Sequence, residues 1–94
     1  MSKIAVIFNV HTMPGSYHQV IKDLEEVGAG HPHGRLSHIA TTSDNGMIVV
    51  DTYDSMESFQ HFGETLAPLL EKNGIAPPDI QVLPIENEIY PPKN

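Results

Sequence analysis

The dipeptide Asn45-Gly46 lies near the middle of the chain, between two segments that are rich in β-branched residues. An Asn-Gly pair in this setting is the strongest short-range sequence signal for a β-hairpin. The sequence therefore predicts two antiparallel strands, residues 35–42 and 47–53, that lie side by side. This hairpin forms the middle of the fold, and the segments before and after it must supply the remaining strands and helices.

The segment before the hairpin contains one strand and one helix. Residues 3–11 form an apolar run without a breaker, which is typical of a central strand buried on both faces. Apolar residues then recur at steps of three and four from Met13 to Val27, which predicts a helix that starts near Pro14 and stops at Gly28.

The segment after the hairpin repeats this arrangement in reverse order. Asp54 and Glu57 resemble a capping box at the start of a second helix, which we expect Pro68 to kink or divide. The last predicted strand covers residues 79–90. Its Pro84 cannot donate a ladder hydrogen bond, which favours a position at the sheet edge.

The element order is therefore βαββαβ, which predicts an α+β, ferredoxin-like fold with a four-stranded antiparallel sheet in the order 4-1-3-2. A length of 94 residues fits one domain over residues 1–94. Both helices of such a fold cover the same face of the sheet. Strict alternation predicts that the open face carries an apolar set made of Leu36, His38, Ala40, Ala5, Ile7 and Val49.

An apolar face of this size is too large for a monomer in water. We therefore expect a homodimer in which two sheets face each other, which is a dimeric α/β barrel. The formal charge of −7, with five dispersed basic residues, argues against nucleic acid and anionic membranes as partners. The remaining expected partner is a small-molecule ligand.

The composition also narrows the chemistry. No cysteine is present, which excludes disulfides, thiol chemistry and cysteine-ligated metals. The apolar run at the start of the chain is too short for a secretory signal or a membrane span, so we expect a cytoplasmic protein. His31-Pro32-His33 is interpreted as a solvated loop, and no metal or cofactor is predicted.

The hairpin predicts one candidate catalytic site. With Asn45 and Gly46 as loop residues, His38 lies opposite Tyr53 and diagonal to Asp51 on one sheet face. An imidazole held by a carboxylate can act as a general base, and a phenol can hydrogen-bond a developing oxyanion. The alternative is that the three side chains only satisfy one another inside a dimer interface.

A second set of residues is predicted to bind the substrate. Strand one lies next to the hairpin and is expected to add Asn9 and His11 to the site. The aromatic residues form either a core cluster or the wall of a pocket. The predicted substrate-binding residues are Asn9, His11, Tyr17, Phe59 and Phe62.

Several short segments together resemble a known family. They are Tyr17 with Gln19-Val20, Gly34-Arg35-Leu36 with His38, Val49-Val50-Asp51 followed by Asp54-Ser55, Phe59 and Phe62, Leu66-Ala67-Pro68, and Asn73-Gly74. In this pattern of packing and turns the chain resembles small dimeric α/β-barrel proteins of the antibiotic biosynthesis monooxygenase superfamily. The resemblance covers nearly the whole chain.

This resemblance implies the same fold and a dimer, with ligands held between sheet and helices or inside the barrel. It also implies that a cofactor-independent monooxygenase acting on a small aromatic or polyketide-like molecule is one possible function. Two alternatives stay open, namely a non-catalytic small-molecule-binding module and a structural dimer.

Overall fold

A computed structural model describes residues 2–91 of the chain. It contains six elements, which are β1 (Ile4–Val10), α1 (Pro14–Glu26), β2 (Arg35–Ser43), β3 (Gly46–Tyr53), α2 (Met56–Lys72) and β4 (Asp79–Pro84). The predicted order βαββαβ is therefore confirmed.

The four strands form one antiparallel sheet in the order β2-β3-β1-β4, which is the predicted order. The central strand β1 carries the continuous apolar run, and β4 lies at an edge. Strand pairing ends where Pro84 faces Ile4, so β4 is shorter than the predicted 79–90. Beyond it, the Ile85 N–H donates to the carbonyl of Lys3 at 3.0 Å.

The hairpin turns one residue earlier than the sequence predicts, which shifts the cross-strand pairing by two residues. Ser43 pairs with Gly46, so the two loop residues are Asp44 and Asn45. Gly46 has φ +141° and passes close to the end of β1, where an added Cβ would lie 2.3 Å from the carbonyl oxygen of Val10. Glycine is therefore needed as the first residue of β3, because a side chain at this position would collide with the backbone at the end of β1.

Both helices begin near their predicted starts. Ser55, and not Asp54, caps α2, since its hydroxyl accepts a hydrogen bond from the Ser58 N–H at 3.1 Å. Pro68 lies inside α2 without dividing it. In contrast, α1 begins at Pro14 with no side-chain cap, so its first turn lacks the hydrogen bond that anchors α2.

The helices pack on one face of the sheet and enclose the core. The core consists of Ile4, Val6, Phe8, Val20, Leu24, Val49, Tyr53, Phe62 and Ile75. Burial alternates along β1 and β3, as expected of strands with one covered face.

The predicted set of open-face residues is wrong in part, because it mixes the two faces. Paired residues of antiparallel strands project to the same side, and Val49 pairs with the core residue Phe8. Ala40 pairs with Val49 and so lies on the helix face too. Ala5 and Ile7 do lie on the open face, as predicted.

A β-bulge at the start of β2 accounts for another difference. Arg35 pairs with Tyr53 and Ser37 pairs with Thr52, so Leu36 is the extra residue between them. Bulges re-aim the side chains that flank them. As a result Arg35 and His38, although three residues apart, both project toward the helices, and Leu36 is exposed.

Candidate functional site

His38 is the centre of a hydrogen-bonded chain under the helices. Its Nδ1 lies 2.5 Å from Asp51 Oδ1, and its Nε2 lies 2.7 Å from the hydroxyl of Tyr17 on α1. The Tyr53 hydroxyl donates to the second oxygen, Asp51 Oδ2, at 2.7 Å. We call these four side chains, Tyr17, His38, Asp51 and Tyr53, the His38 relay.

The pairing register produces the central contact. Because the cross-strand pairing is shifted by two residues, His38 lies directly opposite Asp51 and not opposite Tyr53. A shift of two residues leaves every side chain on the same face. His38, Asp51 and Tyr53 therefore share one face as the sequence predicts, although the face is the one covered by the helices.

The contacts indicate which nitrogen of the neutral His38 ring carries the proton. An ionised carboxylate only accepts hydrogen bonds, so the His38 Nδ1–H donates to Asp51. In the neutral ring, Nε2 then carries the lone pair and accepts the Tyr17 O–H. The Asp51 side chain is only 2% exposed and each of its oxygens has a partner. The carboxylate therefore holds His38 as a base with Nε2 toward Tyr17.

Both tyrosines of the relay are held in their neutral form. Burial raises the pKa of the Tyr17 phenol above its usual value, and the Arg35 charge partly opposes this. Burial is also the main cause of the raised pKa of Tyr53, with a further contribution from the negative charge of Asp51. Both phenols are therefore hydrogen-bond donors at neutral pH.

A cavity of about 70 Å³ adjoins the relay between the sheet and the two helices. Tyr17, Arg35, His38 and Asp51 are among the residues that line it, and its surface is almost entirely apolar. A cavity of roughly 150 Å³ accepts benzene. The present cavity therefore has room for a molecule of the size of water or dioxygen, and an aromatic ring requires it to widen.

Only two of the five predicted substrate-binding residues lie at this cavity. Tyr17 and Phe62 line it, whereas Phe59 packs against Tyr53 with the ring centroids 5.3 Å apart. Phe59 instead borders an open apolar groove beside β4.

Asn9 and His11 lie away from the cavity, contrary to the prediction. Asn9 follows the core residue Phe8, and the alternation of the strand turns it to the open face, where it is exposed. His11 lies beyond the end of β1, and its exposed ring is 3.4 Å from the Asp79 carboxylate. Neither residue contacts the His38 relay.

Arg35 lines the cavity and was not predicted from the sequence. Its guanidinium donates to the Gly30 carbonyl at 3.1 Å and lies 5.8 Å from the centre of the Phe62 ring. Strict alternation would turn Arg35 away from His38, and only the bulge brings it to the same face. Nothing in the residue types around Leu36 signals that bulge.

The structure shows no metal centre within residues 2–91. No group of three or more His, Asp or Glu side chains in this range could hold an ion, and the loop containing His31 and His33 adds none. Likewise, none of the helices described is long and apolar enough to cross a membrane.

Comparison with solved structures identifies the fold. Similar structures include a protein of unknown function from Nitrosomonas europaea, NE2512 (TM-score 0.70, 18% identity, 99% of this chain and 98% of that chain covered). Another is a candidate antibiotic biosynthesis monooxygenase from Chloroflexus aurantiacus (0.68, 18%, 95% and 98%). A third is SnoaB, a cofactor-independent oxygenase from Streptomyces nogalater (0.63, 12%, 95% and 98%).

These similarities confirm the ferredoxin-like fold, which the chain shares with candidate antibiotic biosynthesis monooxygenases. At such low sequence identity they concern the fold alone. No protein-family model matches the chain. No curated protein sequence matches it either.

Proposed function

We propose that this chain is a cofactor-independent monooxygenase-like enzyme that acts on a small hydroxylated aromatic or polyketide-like molecule, with His38 as the general base. The observation that carries this proposal is the 2.5 Å contact between His38 and the buried Asp51 at the wall of an apolar cavity. Similarity to solved oxygenases supports it at the level of the fold. We also propose that the enzyme is cytoplasmic.

The chemistry needs a base and an apolar space. His38 Nε2 removes a proton from an activated ring carbon or hydroxyl, and Asp51 stabilises the imidazolium that forms. The resulting anion transfers electrons to dioxygen and a carbon–oxygen bond forms. Cleavage of the O–O bond then converts a ring CH₂ to C=O and releases the other oxygen as water with the two hydrogens, so that the substrate is the only reductant.

Tyr17 has to move before this reaction starts, because its hydroxyl occupies Nε2 of His38. Tyr17 belongs to the first turns of α1, whose N-terminus has no side-chain cap. Displacement of this part of α1 frees the base and widens the cavity at the same time. The unanchored helix start therefore supports access of an aromatic substrate.

The proposed enzyme is a homodimer. The open face of the sheet carries Ile7, Ile39 and Val50 in adjacent paired positions, and Ile39 is 59% exposed. A second copy of this sheet is the cover that fits an apolar surface of the same size. The His38 relay lies on the other side of the sheet, so a dimer leaves it accessible from the helix side.

A non-catalytic small-molecule-binding module is the second candidate. The small cavity favours it, as does the relay, in which each buried polar atom among the described residues already has a partner. In that case the His38 relay holds the core together and performs no proton transfer.

An oxygen-uptake experiment separates the two candidates. The wild type and His38→Ala are incubated with a panel of naphthols and anthrone-type compounds in air-saturated buffer. His61→Ala is the matched control, because His61 is an exposed histidine on α2. We expect uptake by the wild type and by His61→Ala, and a loss of about 10²–10⁴-fold in His38→Ala.

Equal rates in the wild type and His38→Ala would contradict a catalytic base at this position. Saturable ligand binding without oxygen uptake in any variant would favour the binding module.

A further inference from the structure

We propose that Arg35 is the anion-binding group of the cavity, so that the molecule bound there is an acidic phenol or an enolisable ketone held as its oxyanion. This inference rests on the proposed function, since it names the charge state of the substrate of the same site. Arg35 is a further residue of the site, distinct from the base His38 and from Asp51, which orients that base.

The first observation is the position of Arg35. The bulge at Leu36 turns Arg35 and His38 to one face, and both side chains line the same cavity. A regular strand would place side chains three residues apart on opposite faces. The irregularity of β2 therefore has a specific result, which is to bring a cation beside the base.

The second observation is that Arg35 lacks an anionic partner. Within residues 2–91 the guanidinium forms no ion pair with a carboxylate, and its one side-chain hydrogen bond goes to the Gly30 carbonyl. A guanidinium has five N–H donors in a planar fork that suits oxyanions. Within residues 2–91 the other guanidinium donors of Arg35 have no hydrogen-bond partner.

The third observation is the surroundings of the charge. Arg35 is partly buried and its guanidinium lies over the Phe62 ring, in a cavity whose wall is mainly apolar. Charge interactions are stronger in such an environment than in water. An oxyanion that forms when His38 removes a proton would therefore be stabilised by Arg35.

Asp51 is the charge that opposes this arrangement. Asp51 is among the residues that line the cavity, and its negative charge would repel a bound anion, while Tyr17 and Tyr53 stay neutral. A bound phenol should therefore ionise more easily only if Arg35, or a protonated His38, outweighs Asp51. The test below separates these two cations.

The test measures the pKa of 4-nitrophenol bound to the protein, because its phenolate form absorbs visible light. Titration of the bound probe is compared in the wild type, Arg35→Met, Arg35→Lys and His38→Ala. Arg35→Met keeps the length of the side chain and its contact with Phe62 but removes the charge. Lys22→Met is the matched control, since Lys22 is an exposed cation on α1.

We expect the wild type to lower the pKa of the bound probe by about 1 to 3 units. Arg35→Lys, His38→Ala and Lys22→Met should keep most of this decrease, and Arg35→Met should abolish it. Circular dichroism and thermal melting of each variant verify that it is folded. If Arg35→Met does not fold, Arg35→Gln takes its place. Loss of the decrease in the pKa of the probe in Arg35→Gln then supports the inference, and retention of the decrease contradicts it.

Three results would overturn the inference. They are an equal pKa of the probe in Arg35→Met and the wild type, binding of the neutral phenol only, and absence of saturable binding to the wild type. Oxygen uptake by the same variants distinguishes this failure from that of the proposed function. If the decrease in the pKa of the probe depends on Arg35 but oxygen uptake does not depend on His38, the anion site is supported and the monooxygenase is contradicted. If oxygen uptake depends on His38 but the pKa of the probe does not depend on Arg35, the enzyme is supported and the anion site is contradicted.

Discussion

At the scale of single residues, residues 2–91 contain two His–Asp contacts that differ mainly in burial. His38 and Asp51 lie 2.5 Å apart under the helices, whereas His11 and Asp79 lie 3.4 Å apart in solvent. Exposed pairs contribute little to stability because water and salt screen them. Loss of a partner in a buried hydrogen-bonded network has a larger effect, because a polar group is left unsatisfied.

This contrast gives a paired prediction. Asp51→Asn replaces one acceptor oxygen by an NH₂ group, which faces either the His38 Nδ1–H or the Tyr53 O–H. We expect the free energy of unfolding to fall by about 1–3 kcal/mol in urea titrations at neutral pH. Asp79→Asn is the control and should change it by less than about 0.5 kcal/mol. Similar small changes in both variants would show that Asp51 does not hold the relay together.

The residues of the relay differ in how well the sequence predicts them. His38, Asp51 and Tyr53 are brought together by hairpin pairing, and the error of two residues in register preserved their common face. The prediction placed Asn9 on the wrong face, because the sequence alone does not show which side chains of β1 share a face with His38 and Asp51. The position of Arg35 could not be predicted, because the bulge at Leu36 changes which face of β2 its side chain takes. No distinctive residue type in the sequence marks that bulge.

At the scale of elements, Gly46 fixes the register of the hairpin through its contact with β1. A substitution to alanine puts a Cβ 2.3 Å from the Val10 carbonyl oxygen and strains a backbone with φ +141°. We therefore predict that Gly46→Ala lowers the free energy of unfolding by about 1–3 kcal/mol from backbone strain alone. Chemical denaturation followed by circular dichroism measures the change.

Gly63→Ala in α2 is the matched control for this substitution. An added Cβ there meets no atom within 4 Å, so this variant should be more stable than the wild type by about 0.5–1 kcal/mol. A destabilised Gly63→Ala, or a Gly46→Ala variant with wild-type stability, would contradict this account of the turn.

The helices and strands themselves were largely predictable from local signals. The turn at Asn45, the helix stop at Gly74 and the edge position of Pro84 each agree with the structure. The exact register was not predictable, because it depends on the approach of Gly46 to β1, which is distant in sequence. The capping residue Ser55 adjoins the predicted Asp54, and such helix boundaries are the least certain part of a sequence-based assignment.

At the scale of the whole molecule, one face of the sheet carries the helices and the His38 relay, and the other face is open and apolar. Consistent local signals made this two-layer layout predictable. The assignment of the site to the helix-covered face was not predictable, since both faces of β1 carry apolar residues. The dimer remains a prediction that depends on the open face.

A charge on the open face should therefore dissociate the proposed dimer. We predict that the wild type has twice the chain mass by light scattering after size exclusion, and that Ile39→Glu has the mass of a single chain. Val27→Glu is the control, because Val27 is 60% exposed, close to the 59% of Ile39, but lies at the end of α1. A folded wild type of single-chain mass, or a dimeric Ile39→Glu, would contradict the proposed interface.

The central claim is that Asp51 holds His38 with its proton on Nδ1, so that Nε2 is the base that Tyr17 covers. The most direct measurement is the ¹H–¹⁵N long-range NMR spectrum of the His38 side chain, recorded where the ring is neutral. We predict that the neutral ring carries its proton on Nδ1 and that Nε2 is unprotonated, and Asp51→Asn should disturb this pattern. A neutral His38 ring protonated on Nε2 in the wild type would contradict the claim.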